Sequence, residues 1–174
     1  MGPGQKAPAH GLRGKKVKAS VSTSIRIAAP MEKVWTYLCD ASMPTAAPWC
    51  FRFGVPTPRE CTIVGETSGV GAHRQCRTSK GFIDQQITEW VPPTRLTFVA
   101  RSDTIGMYKH VKSMQDTFLL EQAGNSGTLL TRLTRFESRG IFAPIKSWLF
   151  AITIRRLHRY VMAGFKTLAE EGHS

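Results

Sequence analysis

Acidic residues are scarce in this sequence. Its 174 residues include 12 Asp and Glu against 24 Lys and Arg, a formal net charge of +12. Residues 1–20 contain no acid, show no periodicity and are rich in Gly, Pro, Ala and Lys. This composition predicts a disordered basic leader over 1–20 and one domain over 21–171. The leader fits a contact with a polyanion or membrane surface, or a merely solubilising role.

Long apolar runs and targeting signals are also missing. The longest apolar run, 148–154, is interrupted by Thr153 and falls far short of the ~20 residues of a membrane span. No apolar stretch follows the basic residues of the first twenty positions, so a secretory signal is not expected. The sequence therefore predicts a soluble, cytoplasmic protein.

Cysteine is present, but not in a metal-binding pattern. Cys39, Cys50, Cys61 and Cys76 form no CxxC pair and have no His at metal-ligand spacing. We expect four reduced thiols, as is usual in the cytosol. P-loop, HExxH, GxSxG and dinucleotide-binding motifs are absent as well, and no metal or cofactor is expected.

What remains is a clear pattern of strands and helices. Alternating apolar residues predict a strand over 21–27, and Met31, Val34, Trp35 and Leu38 recur at helical spacing up to residue 40. Four prolines within 41–58 exclude a long helix, so this aromatic-rich segment is expected to be a short helix or an irregular lid.

The rest of the chain predicts six more strands and one long helix. Strands are expected over 61–64, 70–79, 82–91, 95–101, 108–121 and 128–137, followed by a helix over 144–170. One helix, an antiparallel meander and a closing helix form an α+β order.

Several local motifs, in this order, resemble the START-like (SRPBCC) superfamily of polyketide cyclases/dehydrases and lipid-transport proteins. They are the strand-to-helix junction 27–35, the Gly69-x-Gly71-x-x-Arg74 hairpin, the strand-turn-strand segment 87–96, the Gly127-Thr128 hairpin and the helix end 168–170. The resemblance implies a helix-grip fold, in which a curved seven-stranded antiparallel sheet grips the C-terminal helix. It also implies a largely apolar pocket between sheet and helix, holding a lipid- or polyketide-like ligand.

The ligand-binding residues expected in such a pocket are aromatic and large apolar side chains. They are Trp35, Trp49, Phe51, Phe53, Trp90, Phe98, Met114, Phe118, Trp148 and Ile152.

An enzyme of the aromatase/cyclase or dehydratase type is the alternative. Strand parity places Asp116, His110 and Tyr108 on one face, with Arg132 of the next strand beside Asp116. These side chains could orient and protonate a carbonyl substrate. Equally, His110 could face solvent while Asp116 and Arg132 form a structural ion pair.

The last helix suggests two further partners. Arg155, Arg156, His158 and Arg159 follow an apolar segment, a combination that fits weak contact with an anionic membrane surface or a solvated helix back. The apolar first half of this helix fits a cavity wall or a second copy of the chain, so monomer and homodimer both stay open. No motif predicts nucleic-acid binding.

Overall fold

The computed structural model describes residues 16–39, 41–42, 56–65 and 68–171, which form an antiparallel sheet and two helices. The helices are α1 (Met31–Cys39) and α2 (Ala143–Glu171), and a 3₁₀ turn covers Met107–Lys109. The strands are β1 (Lys16–Ile27), β2 (Ala41–Ser42), β3 (Pro58–Val64), β4 (His73–Thr78), β5 (Gly81–Val91), β6 (Arg95–Asp103), β7 (Val111–Ala123) and β8 (Gly127–Arg139).

The sheet order is β1-β8-β7-β6-β5-β4-β3-β2, and every neighbouring pair is antiparallel. Strands β3 to β8 form a meander, while β1 pairs along its whole length with β8. Helix α2 packs against β1, β8 and α1. The predicted α+β helix-grip fold is confirmed, with seven long strands and, within the segment expected to be a lid, the two-residue strand β2.

Both helices bury one apolar stripe. In α1, Val34, Trp35 and Leu38 are buried at helical spacing. In α2, the buried residues include Ile154, Val161 and Phe165, which face the sheet. None of the helices in the described ranges combines the length and apolar composition needed to cross a bilayer.

Strand β1 begins earlier than predicted. Lys16 pairs with Arg139 and Ser20 with Arg135, so 16–20 extend the sheet instead of belonging to a leader. Exposed lysines in this stretch mask the strand pattern, because an edge strand tolerates charge on its solvent face.

Strand β7 begins later than predicted, which moves Tyr108 and His110 out of it. The Asp103 carboxylate accepts hydrogen bonds from the backbone N–H groups of Met107 and Tyr108, at 2.8 and 3.2 Å, and holds the 3₁₀ turn. A register shift between Val111 and Ser113 then interrupts the alternation of side chains between the two faces of the sheet. The predicted common face of 108–120 is therefore wrong before Met114.

The expectation of four reduced thiols is also wrong. Cys61 and Cys76 are directly opposite each other on β3 and β4 and form a disulfide. Spacing along the sequence did not reveal this pair, because the register of the two strands brings the residues together. Cys50 lies outside the described residues.

Candidate functional site

A cavity of about 420 Å³ lies between the sheet and α2. Phe98, Met114 and Phe118 form part of its wall on the sheet side. The helix side is apolar except for Thr153 and consists of Phe150, Thr153, Ile154, Leu157, Val161 and Phe165. Other parts of the wall come from β3 to β5 and from the 3₁₀ turn, including Pro58, Ile83, Ile105 and Met107.

A buried polar network begins on the cavity wall at Asp116 and runs behind it. Arg132 donates from Nε to Oδ1 of Asp116 at 3.2 Å and from Nη2 to Oδ2 at 3.0 Å. The hydroxyl of Thr134 donates to the same carboxylate and accepts from Nε2–H of His158 at 2.7 Å. Nδ1 of His158 then accepts from the hydroxyl of Thr23 at 3.2 Å. Because Thr134 donates to Asp116, the network selects the Nε2–H tautomer of His158.

The network fixes the charge of its members. Burial raises the pKa of Asp116, but the charge of Arg132 and hydrogen bonds from Arg132 and Thr134 outweigh it, so the pKa lies below its ordinary value. Burial, together with the charge of Arg132, lowers the pKa of His158 from 6.5 to about 3. At neutral pH the site therefore holds a carboxylate and a neutral imidazole, and neither is a proton donor of ordinary acid strength.

Arg74 is a second guanidinium on the cavity wall, buried to 4% exposure on β4. It donates from Nη1 to Oε1 of Gln85 at 2.8 Å and from Nη2 to the carbonyl oxygen of Leu38 at 3.2 Å. Its guanidinium carbon lies 4.7 Å from the centre of the Phe98 ring. Burial, and then repulsion by Arg132, lowers the pKa of Arg74 to about 10, so it stays charged at neutral pH.

The structure brings together two of the four predicted catalytic residues. Asp116 and Arg132 form the buried pair described above. His110 lines the cavity but is exposed at its rim, because it follows the 3₁₀ turn. The hydroxyl of Tyr108 donates to the carbonyl oxygen of Ala100 at 2.6 Å, and Tyr108 is not part of the cavity wall.

Some of the predicted ligand-binding residues also line the cavity, and others lie away from it. Phe98, Met114 and Phe118 line the cavity, whereas Trp35 and Trp90 pack edge to face, 5.2 Å apart, in the core beyond it. Trp148 is 63% exposed and Ile152 is half-buried on α2, and neither lines the cavity. Trp49, Phe51 and Phe53 lie outside the described residues.

Sequence reasoning missed the polar residues Arg74 and Gln85 and most of the wall from α2. Arg74 shares a face with Cys76, whose apolar character could have indicated an inward-facing strand surface. Ile154, Leu157, Val161 and Phe165 recur at helical spacing in the sequence, but periodicity does not distinguish a cavity wall from a packed core. His158, expected in an exposed basic cluster, is fully buried within the same stripe.

Within the part of the chain that the structure describes, no group of three or more His, Cys, Asp or Glu residues could hold a metal ion.

Comparisons with known proteins agree on the fold. The family model described as "Polyketide cyclase / dehydrase and lipid transport" matches residues 18–171. No curated protein sequence matches the chain.

Solved structures with this fold include an aromatase/cyclase and a plant enzyme. The Zhui aromatase/cyclase from a Streptomyces species is 13% identical, with a TM-score of 0.65 over 89% of this chain and 95% of that one. A norcoclaurine synthase mutant from Thalictrum flavum is 15% identical, with a TM-score of 0.64 over 92% and 99%. A START superfamily protein from Mycobacterium smegmatis is 11% identical, with a TM-score of 0.61 over 87% and 97%. At these identities the likeness shows the fold alone.

Proposed function

Because the chain belongs to the family of polyketide cyclases/dehydrases and lipid-transport proteins, we propose that its cavity binds a small, mostly apolar molecule. The observation that carries this proposal is the cavity itself. Its volume of about 420 Å³ falls within the range of ~300–1,000 Å³ for ligand pockets.

The composition of the wall supports the same proposal. Protein interiors are close-packed, with few voids larger than a water molecule, so a space of this size favours an occupant. Aromatic and aliphatic side chains supply most of the wall, and Arg74, Gln85, Asp116 and Arg132 supply a few polar atoms. Such walls bury an apolar ligand and use the polar atoms to orient it.

The first experiment is native mass spectrometry of the purified protein, followed by titration with the neutral fluorescent probe N-phenyl-1-naphthylamine. We expect a bound mass that is lost on denaturation, and saturable probe binding after its removal. Leu157→Trp fills the cavity and should reduce probe affinity at least tenfold. Ile145→Trp adds the same side chain on the exposed surface of α2 and serves as the control. Equal binding by both variants would contradict the proposal.

An enzyme that acts on a carbonyl substrate is the second candidate, favoured by the placement of Asp116 and Arg132 on the cavity wall. Arg132 would orient and polarise a carbonyl oxygen, and Asp116 would hold Arg132 in position. The test is conversion of a linear poly-β-ketone thioester by the wild type and by Asp116→Asn. We expect product from the wild type and at least a tenfold loss in the variant. Unchanged turnover in the variant would remove Asp116 from any mechanism.

Contact with an anionic membrane surface is a third candidate, and it concerns the outer face of α2. Ile145, Trp148 and Leu149 are exposed and continue at helical spacing into Arg155 and Arg156. Exposed apolar residues next to basic ones suit the boundary between lipid headgroups and acyl chains.

The vesicle experiment separates this contact from non-specific attraction. The protein should bind vesicles of phosphatidylserine and phosphatidylcholine, and Trp148→Ser should weaken that binding several-fold. Val70→Ser removes an equally exposed apolar side chain from the β3–β4 connection and should have no effect. If Trp148→Ser leaves vesicle binding unchanged, net charge alone attracts the protein to the vesicles.

A further inference from the structure

The charges buried around the cavity do not balance. Arg74, Asp116 and Arg132 are the wall residues that are both charged and buried, at 4%, 2% and 8% exposure. Lys80 and His110, the other basic wall residues, are exposed at the rim. Two guanidinium groups therefore face a single carboxylate in an apolar enclosure.

Of the two cations, only Arg132 hydrogen-bonds to the carboxylate, although the charge of Asp116 also favours the charged form of Arg74. Both oxygens of Asp116 accept from Arg132, and Oδ1 also accepts from Thr134. This bidentate pairing is the strongest arrangement available to a carboxylate and a guanidinium. Arg132 is thus neutralised within the protein.

Arg74, by contrast, has neutral hydrogen-bond partners. It donates to the amide oxygen of Gln85, the carbonyl oxygen of Leu38 and the sulfur of Cys76, at 2.8, 3.2 and 3.3 Å. Among the described residues, its buried Nε has no hydrogen-bond partner. A buried cation without an anion or a full set of acceptors is unfavourable, so Arg74 favours an added anion.

The chain itself offers few candidates for that anion. Among the acids of the described residues, only Asp116 lines the cavity. Residues 43–55 contain no Asp or Glu, and the acids outside the described residues are Asp40 and Glu66.

We propose that the ligand of this cavity is an amphiphilic monocarboxylate, with its carboxylate paired to Arg74 and its apolar body against α2. The inference rests on the proposed ligand-binding function and names the class of ligand. One unbalanced positive charge matches a monoanion better than a phosphate dianion. At roughly 30 Å³ for the volume of a water molecule, the cavity accepts about 14 non-hydrogen atoms, enough for a ten-carbon carboxylate.

The test compares two ligands of the same size and shape, decanoate and decanamide, by calorimetry at pH 7.5. We expect the wild type to bind decanoate at least tenfold more tightly than decanamide. In Arg74→Gln this preference should disappear because decanoate binding falls. Arg101→Gln removes the same charge from an exposed arginine on the outer face and should keep the preference.

The possible results separate the two proposals. Equal affinities for decanoate and decanamide in the wild type would overturn the charge inference while leaving a ligand-binding cavity. No binding of either compound, or of the neutral fluorescent probe, would overturn both proposals. The wild-type comparison needs no variant, so it decides the matter even if Arg74→Gln fails to fold.

A further variant addresses Asp40, an acid outside the described residues that follows α1 in the sequence. Asp40 follows Cys39 at the end of α1, and Leu38 of α1 accepts a hydrogen bond from Arg74. Asp40→Asn should leave the preference for decanoate unchanged. A tenfold gain in decanoate affinity would mean that Asp40 already neutralises Arg74 and would overturn the inference.

Discussion

His158 is held neutral by its surroundings, which makes the stability of the protein depend on pH. Its pKa is about 3 in the folded protein and 6.5 when exposed, so the unfolded chain binds the proton first as the pH falls. The free energy of unfolding therefore decreases from about pH 6.5 downward, by up to about 1.4 kcal/mol per pH unit. Since ordinary carboxyl groups titrate near pH 4, the interval from pH 7 to 5 reports mainly on histidine.

We predict that the wild type loses about 2 kcal/mol of stability between pH 7 and 5 through this histidine. His158→Gln should lose much less, although it is less stable at pH 7. The measurement is urea unfolding at pH 7, 6 and 5. His73→Gln, which changes an exposed strand histidine, should follow the wild type. Parallel pH profiles for wild type and His158→Gln would show that His158 does not determine this slope.

The buried Asp116–Arg132 pair gives a second prediction at the residue scale, because the effect of each substitution on stability depends on the partner that remains. Removing only the guanidinium leaves a buried carboxylate, and breaking a buried pair in this way costs roughly 3–5 kcal/mol. We predict that Arg132→Met destabilises the fold by about that amount. Arg132→Met combined with Asp116→Leu should recover part of the loss, because the carboxylate that lost its partner is removed as well. Chemical denaturation of the single and double variants measures the difference, and a double variant less stable than Arg132→Met would contradict it.

At the scale of elements, the start of β8 is a junction of three strands that is closed by backbone atoms. Gly127 lies between Ala123 at the end of β7 and Ile27 at the end of β1, and a Cβ at this position would meet their carbonyl oxygens at 2.7 and 3.2 Å. These carbonyl oxygens belong to the backbone of β7 and β1, which both pair with β8. They cannot move aside as the flexible end of a side chain can. The Gly127-Thr128 motif thus has a steric reason, and Thr128 adds a hydrogen bond of 2.6 Å to the carbonyl oxygen of Ala29.

We predict that Gly127→Ala destabilises the protein by roughly 1–3 kcal/mol, the usual effect of forcing extra atoms into a packed site. Ser126→Ala, one residue earlier in the exposed turn, should change the stability by no more than about 0.5 kcal/mol. Thermal unfolding of both proteins tests the prediction. Equal melting temperatures would mean that β7 and β1 can separate at this junction at little cost.

The sequence predicted the strands and helices best, and predicted least well which side of the sheet each side chain lies on. Alternation in 21–27 and the stripe from Ile154 to Phe165 correspond to observed elements, because period and burial are coupled in regular structure. Bulges break that coupling. Strand parity placed Asp116 and Arg132 on the inner face correctly, but it does not apply to Tyr108 and His110, which lie in and directly after the 3₁₀ turn that precedes β7. Arg74 was missed because its role depends on charges that other strands contribute.

At the scale of the molecule, β1 extends the described fold to residue 16. Residues 16–20 pair with 135–139, so the folded unit includes them. We predict that a chain beginning at Lys16 is as stable as the full chain. A chain beginning at Val21 should lose about 2–3 kcal/mol, or roughly 5–10 °C in Tm, as several strand hydrogen bonds disappear. Calorimetry of the two truncated chains checks this, and equal Tm values would place the boundary at Val21.

The pairing of β1 with β8 also bears on the synthesis of the protein. Lys16 and Arg139 are neighbours in the sheet although most of the chain separates them. During translation β1 leaves the ribosome before β2 to β7 and cannot pair with β8 until all of these strands have followed. The nascent chain must therefore carry this partly apolar strand without its partner while β2 to β8 are made, and contacts this distant in sequence are slow to form.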